Sequence, residues 1–94
     1  MDNKTEEFYK RLTEELAGSA DWPALYLFKF IVPTDVEKIQ TVEDTFNNMG
    51  AVIETNTSKT GKYTSVSVNV RMQGPEAIVA KYKELSVIEG IISL

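Results

Sequence analysis

AVIETNTSKTGKYTSVSVNVRM, residues 51–72, decides the fold. Two runs rich in Val, Ile and Thr flank the turn segment Ser58-Lys59-Thr60-Gly61-Lys62. Turn residues between β-branched runs are the strongest hairpin signal in a single sequence. The second run alternates with a period of two. Thr64, Val66, Val68, Val70 and Met72 fall on one side, and Tyr63, Ser65, Ser67, Asn69 and Arg71 on the other. One apolar face in a two-residue period means a strand with a core on one side and solvent on the other. Gly61 is the turn residue suited to positive φ.

Upstream, Trp22 to Val32 (WPALYLFKFIV) carries the aromatic and branched residues of a central strand. Tyr26, Phe28, Phe30 and Val32 form one face; Leu25, Leu27, Lys29 and Ile31 form the other. Both faces are largely apolar, so the second calls for a cover, either the N-terminal helix or a second subunit. Pro33-Thr34-Asp35 ends that strand and begins a helix, with Thr34 and Glu37 spaced as a capping box. Its apolar residues Val36, Ile39, Val42, Phe46 and Met49 follow the helical period, and Gly50 is placed as the C′ residue.

Downstream, Pro75 opens a last helix at N1, where a missing N–H is harmless. Ile78, Tyr82 and Leu85 form its inner stripe. Val87 to Leu94 reads as a final strand, with Gly90 at a bulge or close contact. Before all of this, Asn3 to Ala17 reads as a helix capped by Asn3 and Glu6, with the stripe Phe8, Leu12 and Leu16. Residues 1–20 are then a helix and linker, and 21–94 the domain proper.

The domain order is β-α-β-β-α-β. With right-handed crossovers, both helices lie on one face of an antiparallel sheet. The expected class is α+β: a ferredoxin-like sandwich of sheet order 4-1-3-2 with an extra N-terminal helix. Ala51 to Ser58 and Val87 to Leu94 become its edges.

Composition removes several functions. The 94 residues suffice for one core. A net charge of −4 argues against nucleic acid and against an anionic membrane surface. The absence of both Cys and His removes the thiolate nucleophile, the usual general base and the commonest zinc ligands. The acidic start MDNKTEE does not read as a signal peptide, and no apolar run approaches the ~20 residues that span a bilayer. The expected location is cytoplasmic.

The spacing S-x-x-G-x-Y-x-S-V over Ser58, Gly61, Tyr63, Ser65 and Val66 is joined by Tyr82-x-x-Leu85 and a branched C-terminal segment. Together these resemble the YbeD-like family of small uncharacterised bacterial proteins, over roughly Pro23 to Leu94. The resemblance implies a ferredoxin-like domain similar to ACT regulatory domains. It also implies a regulatory role, with a link to lipoate metabolism by analogy.

No catalytic constellation is visible. Glu37, Glu43 and Asp44 share a helix without converging, and Asp35 and Glu37 have no His or Cys companions for a metal. The loop Val32-Pro33-Thr34-Asp35 lacks the phosphate-gripping arginine of an acylphosphatase. The solvent face lacks the paired aromatics that stack RNA bases. Residues 58–62 lack the glycine spacing and following helix of a phosphate loop.

The candidate ligand or partner face is the helix-free side of the sheet: Lys29, Tyr63, Ser65, Ser67, Asn69 and Arg71, beside Leu25, Leu27 and Ile31. The expectation is a non-enzymatic regulatory or interaction module without cofactor, a homodimer or the binder of a protein partner. An ACT-like small-molecule sensor is the alternative.

Overall fold

The two longest extended runs pair with each other. In the computed structural model, which describes residues 3–94, Ala24–Pro33 (β1) and Tyr63–Met72 (β3) form the antiparallel centre of a four-stranded sheet. Val52–Thr57 (β2) borders β3, and Ile92–Ser93 (β4) borders β1. The order is β2-β3-β1-β4, the same neighbours as 4-1-3-2 counted from the β4 edge. The helices are Asn3–Ala17 (α1), Val36–Thr45 (α2) and Pro75–Leu85 (α3), so that β1-α2-β2-β3-α3-β4 follows the leading helix.

The period-two pattern of both central strands puts their apolar residues on one side. Phe28 opposes Val68, Phe30 opposes Val66, and all four are fully buried. Phe46, just after α2, and Tyr82 of α3 stand over Phe28 at ring-centroid distances of 5.0 and 5.3 Å. Both helices therefore cover the same face, and their Val42, Ile78 and Leu85 complete the core. Burying a phenylalanine of this kind stabilises by roughly 2–3 kcal/mol, and each ring pair adds about 0.5–1.5. Lys81 ties the helices together: its Nζ donates to the Thr45 carbonyl at 2.9 Å, at the C-terminal end of α2, where a cation is favoured.

The leading helix does not cover the open side of the sheet. α1 packs beside α3, with Leu16 in the core. The Trp22 indole N–H donates to the Leu16 carbonyl at 3.0 Å, and Lys83 Nζ sits 5.2 Å from the Tyr9 ring centroid. The inner stripe runs through Tyr9, Leu12 and Leu16, whereas Phe8 is 58% exposed. The expected capping box of Asn3 and Glu6 rests on the Asn3 side chain, which lies outside the described residues.

Three other expectations need correction. Asp35, not Thr34, caps α2: it accepts from the Glu37 amide at 2.9 Å. Thr34 is held elsewhere, its amide on the Lys62 carbonyl and its hydroxyl on Thr64. The helix stops at Thr45 with Phe46 as C-cap, and residues 46–50 form turns with Asn48 at φ 63°. This turns Phe46 into the core, while Val36, expected on the inner stripe, is exposed.

Val87 to Leu94 is not a full strand. Ile88 donates back to Leu85 and Ile91 to Ile88, so the segment coils until only Ile92–Ser93 pairs with β1. The close contact expected of Gly90 is present: at φ 82°, a Cβ there would meet Pro33 Cγ at 2.7 Å.

Thr64 is the one buried polar residue among those described, and its hydroxyl bonds with Thr34 Oγ1 at 2.9 Å and Thr57 Oγ1 at 3.2 Å.

Candidate functional site

Two surfaces can carry function, and they lie on opposite sides of the sheet. The first is the helix-free face. Strand register places Lys29 opposite Ser67, Leu27 opposite Asn69, Leu25 opposite Arg71 and Ile31 opposite Ser65, with Tyr63 at the Pro33 end. The six residues singled out in the sequence thus share this face. Neighbouring strands extend it: Glu54 flanks Ser67 from β2, and Ile92 flanks Ile31 from β4. Glu54 and Ile92 went unassigned at the sequence level because edge pairing is set by register, which only the folded sheet reveals.

The face divides into two stripes. Along β1 and β4 run Leu25 at 68% exposure, Leu27 at 58% and Ile92 at 50%. Along β3 run the hydroxyls and amide of Ser65, Ser67 and Asn69, with Arg71 reaching the Pro23 carbonyl at 3.5 Å. Ser65 donates to the Asn56 carbonyl at 3.3 Å, so its oxygen is tethered to β2 and has no base beside it in that bond. A shallow hollow of about 200 Å³ lies between Ile31, Tyr63 and the end of β2. The arrangement offers contact area and hydrogen bonds. Among the described residues, no group of three His, Cys, Asp or Glu side chains comes together to hold a metal.

The second surface lies under α1. There a cavity of about 340 Å³ opens between α1, α3 and the β4 edge. Phe8, Tyr9 and Leu12 form the α1 wall; Tyr26 and Tyr82 form the wall opposite, with Ile91 and Leu94 toward the edge. The two phenols are hydrogen-bonded to each other at 2.8 Å. Burial, and then the bond to Tyr26, push the Tyr82 phenol above the ordinary tyrosine value. The chain coils at residues 86–91 and leaves β4 only two residues long, and Ser86, Ile91, Ser93 and Leu94 of this stretch line the cavity. The sequence reading put Tyr26 and Tyr82 in the core without pairing them. The available signal was that a buried tyrosine hydroxyl needs a partner.

A family model described as "Protein of unknown function (DUF493)" matches residues 19–94. The chain belongs to this family. Membership agrees with the resemblance read from Ser58, Gly61, Tyr63, Ser65 and Val66, all of which lie in the matched span. α1 precedes that span, so one wall of the cavity lies outside the DUF493 region and the other within it. No curated protein and no solved structure matches the chain. Among the described residues, no helix is long and apolar enough to cross a membrane.

Proposed function

We propose that this DUF493 chain is a non-enzymatic interaction module whose helix-free sheet face pairs with a second copy of itself. The observation that carries the reading is the uncovered apolar stripe Leu25, Leu27 and Ile92, since α1 docks on the other side of the sheet. Charge supports self-pairing. Lys29 and Arg71 share the face with Glu54, so a two-fold arrangement can bring the cations of one copy onto the carboxylate of the other. The ten residues of β1, at about 3.4 Å each, across strands about 4.8 Å apart, give a face of roughly 500 Å². That is below the ~800 Å² per partner of a standard interface, so the dimer is a weak one that responds to concentration.

Light scattering of the full chain over a concentration series, beside Leu27→Asp, tests the reading. The expected result is a dimer that forms on concentration and is abolished by the substitution at an exposed position. A monomer at millimolar concentration, or a dimer indifferent to Leu27→Asp, would sink it. The βαββαβ order also supports assignment to the ferredoxin-like, ACT-like sandwiches. A small-molecule sensor is the second reading, favoured by the cavity under α1.

A further inference from the structure

The cavity under α1 has the size, walls and polar group of a ligand site. Its volume of about 340 Å³ falls in the range of roughly 300–1,000 Å³ that small-molecule sites occupy. Its walls are mostly aromatic and branched side chains, and among the described residues no side chain that lines it is charged. Lys83 lies over the Tyr9 ring and does not line the cavity.

The polar group is the tyrosine pair. Two phenols carry two protons, and the bond between Tyr26 and Tyr82 uses one of them. One O–H is left to donate into the cavity. Desolvation favours the neutral Tyr82 phenol, so its proton stays within the pair. A ligand oxygen that accepts from the remaining O–H completes the hydrogen bonding of the pair. A carboxylate in the same place would lose its water without gaining a cation, which is costly in an apolar site.

We propose that this cavity binds an uncharged, mostly apolar small molecule bearing one hydrogen-bond-accepting oxygen, gripped between α1 and the Tyr26–Tyr82 pair. The inference does not rest on self-pairing through the sheet. It concerns the other side of the molecule, and the two fail separately. α1 forms one wall of the cavity. It is joined to the rest of the domain by the linker around Gly18 to Asp21, and its Phe8 stands half-exposed at the mouth.

The test uses 2-acetylnaphthalene as probe, with 2-ethylnaphthalene and 2-naphthoate for comparison, followed by amide and aromatic chemical shifts of the full chain. The expected result is saturable binding of the ketone with shifts centred on Tyr9, Leu12, Tyr26 and Tyr82. The naphthoate binds at least about tenfold more weakly, for want of a partner charge. The double variant Tyr26→Phe/Tyr82→Phe keeps both rings and removes both hydroxyls. It is expected to lose about fivefold to tenfold in affinity for the ketone and little for the hydrocarbon. Leu12→Trp fills the cavity from α1 and is expected to abolish binding of both. Far-ultraviolet circular dichroism of each variant establishes that it is folded.

Three results would overturn the proposal. They are shifts that do not saturate or that scatter over the sheet face, naphthoate binding as tightly as the ketone, or a folded Leu12→Trp that still binds.

Discussion

Gly90 is where the final segment is pinned to β1, and replacing it tests that account quantitatively. Its φ of 82° is a conformation that costs an L-residue about 1–2 kcal/mol. An alanine Cβ would also lie 2.7 Å from Pro33 Cγ and 3.1 Å from Cδ. Carbon atoms pack best about 3.5–4.0 Å apart, so something must move by most of an ångström. The Pro33 ring cannot swing away like the end of a long side chain, because it is closed on the backbone of β1, opposite Tyr63. Overpacking of this kind costs about 1–3 kcal/mol. Gly90→Ala is therefore expected to destabilise by about 2–5 kcal/mol, which for a domain of this size lowers Tm by roughly 10–40 °C.

Gly61 supplies the control. It has nearly the same φ, 76°, with nothing within 4 Å of the added carbon, so Gly61→Ala should cost only the backbone share, about 1–2 kcal/mol. Urea unfolding of the two variants, with the slope checked for constancy, isolates the contact with Pro33 as their difference. The double variant Gly90→Ala/Pro33→Ala should recover part of it. If Gly90→Ala and Gly61→Ala fall within about 0.5 kcal/mol of each other, the segment yields freely and the close contact holds nothing in place.

Asp35→Ala removes the acceptor of the Glu37 amide and should cost about 1 kcal/mol in the same assay; no change would mean that water caps α2 equally well. Tyr82 makes a prediction about pH. Its phenol titrates higher in the folded chain, first through burial and then through Tyr26, so the neutral form is the one the fold favours. Stability from this group is complete below the unfolded value near ~10 and declines as pH rises from there through the folded value. Urea midpoints of the parent chain should therefore fall more steeply above pH ~10 than those of Tyr82→Phe, and parallel curves would contradict the assignment.

The hairpin was legible because β3 alternates and Gly61 marks the turn, and β1 because its residues are aromatic and branched. The choice of inner face followed from that alternation alone. The position of α1 was not legible. Phe8, Leu12 and Leu16 announce an apolar stripe, but what meets it is decided by Trp22 on the Leu16 carbonyl and Lys83 on Tyr9, contacts between distant segments. Thr34 and Asp35 are both good N-caps, and the tie was broken by Thr64, which claims the threonine hydroxyl. Val87 to Ile92 has strand propensity, yet burial of Ile88 and the packing of Gly90 on Pro33 coil it instead. The candidate face was readable from β1 and β3, whereas the cavity joins tyrosines 56 residues apart and leaves no local trace.

The threonine chain at Thr64 ties three stretches of sequence into one unit of heredity. Thr34, Thr57 and Thr64 come from the turn between β1 and α2, from β2 and from β3, and the buried Thr64 hydroxyl bonds to both of the others. Exchanging Thr64 alone for valine keeps the shape and removes both bonds at once, leaving the exposed Thr34 and Thr57 hydroxyls to water. Their effects on stability are therefore bound to be non-additive. Within the family, an apolar residue at position 64 is expected to release positions 34 and 57 to vary, whereas a threonine or serine there is expected to keep hydroxyl partners at both.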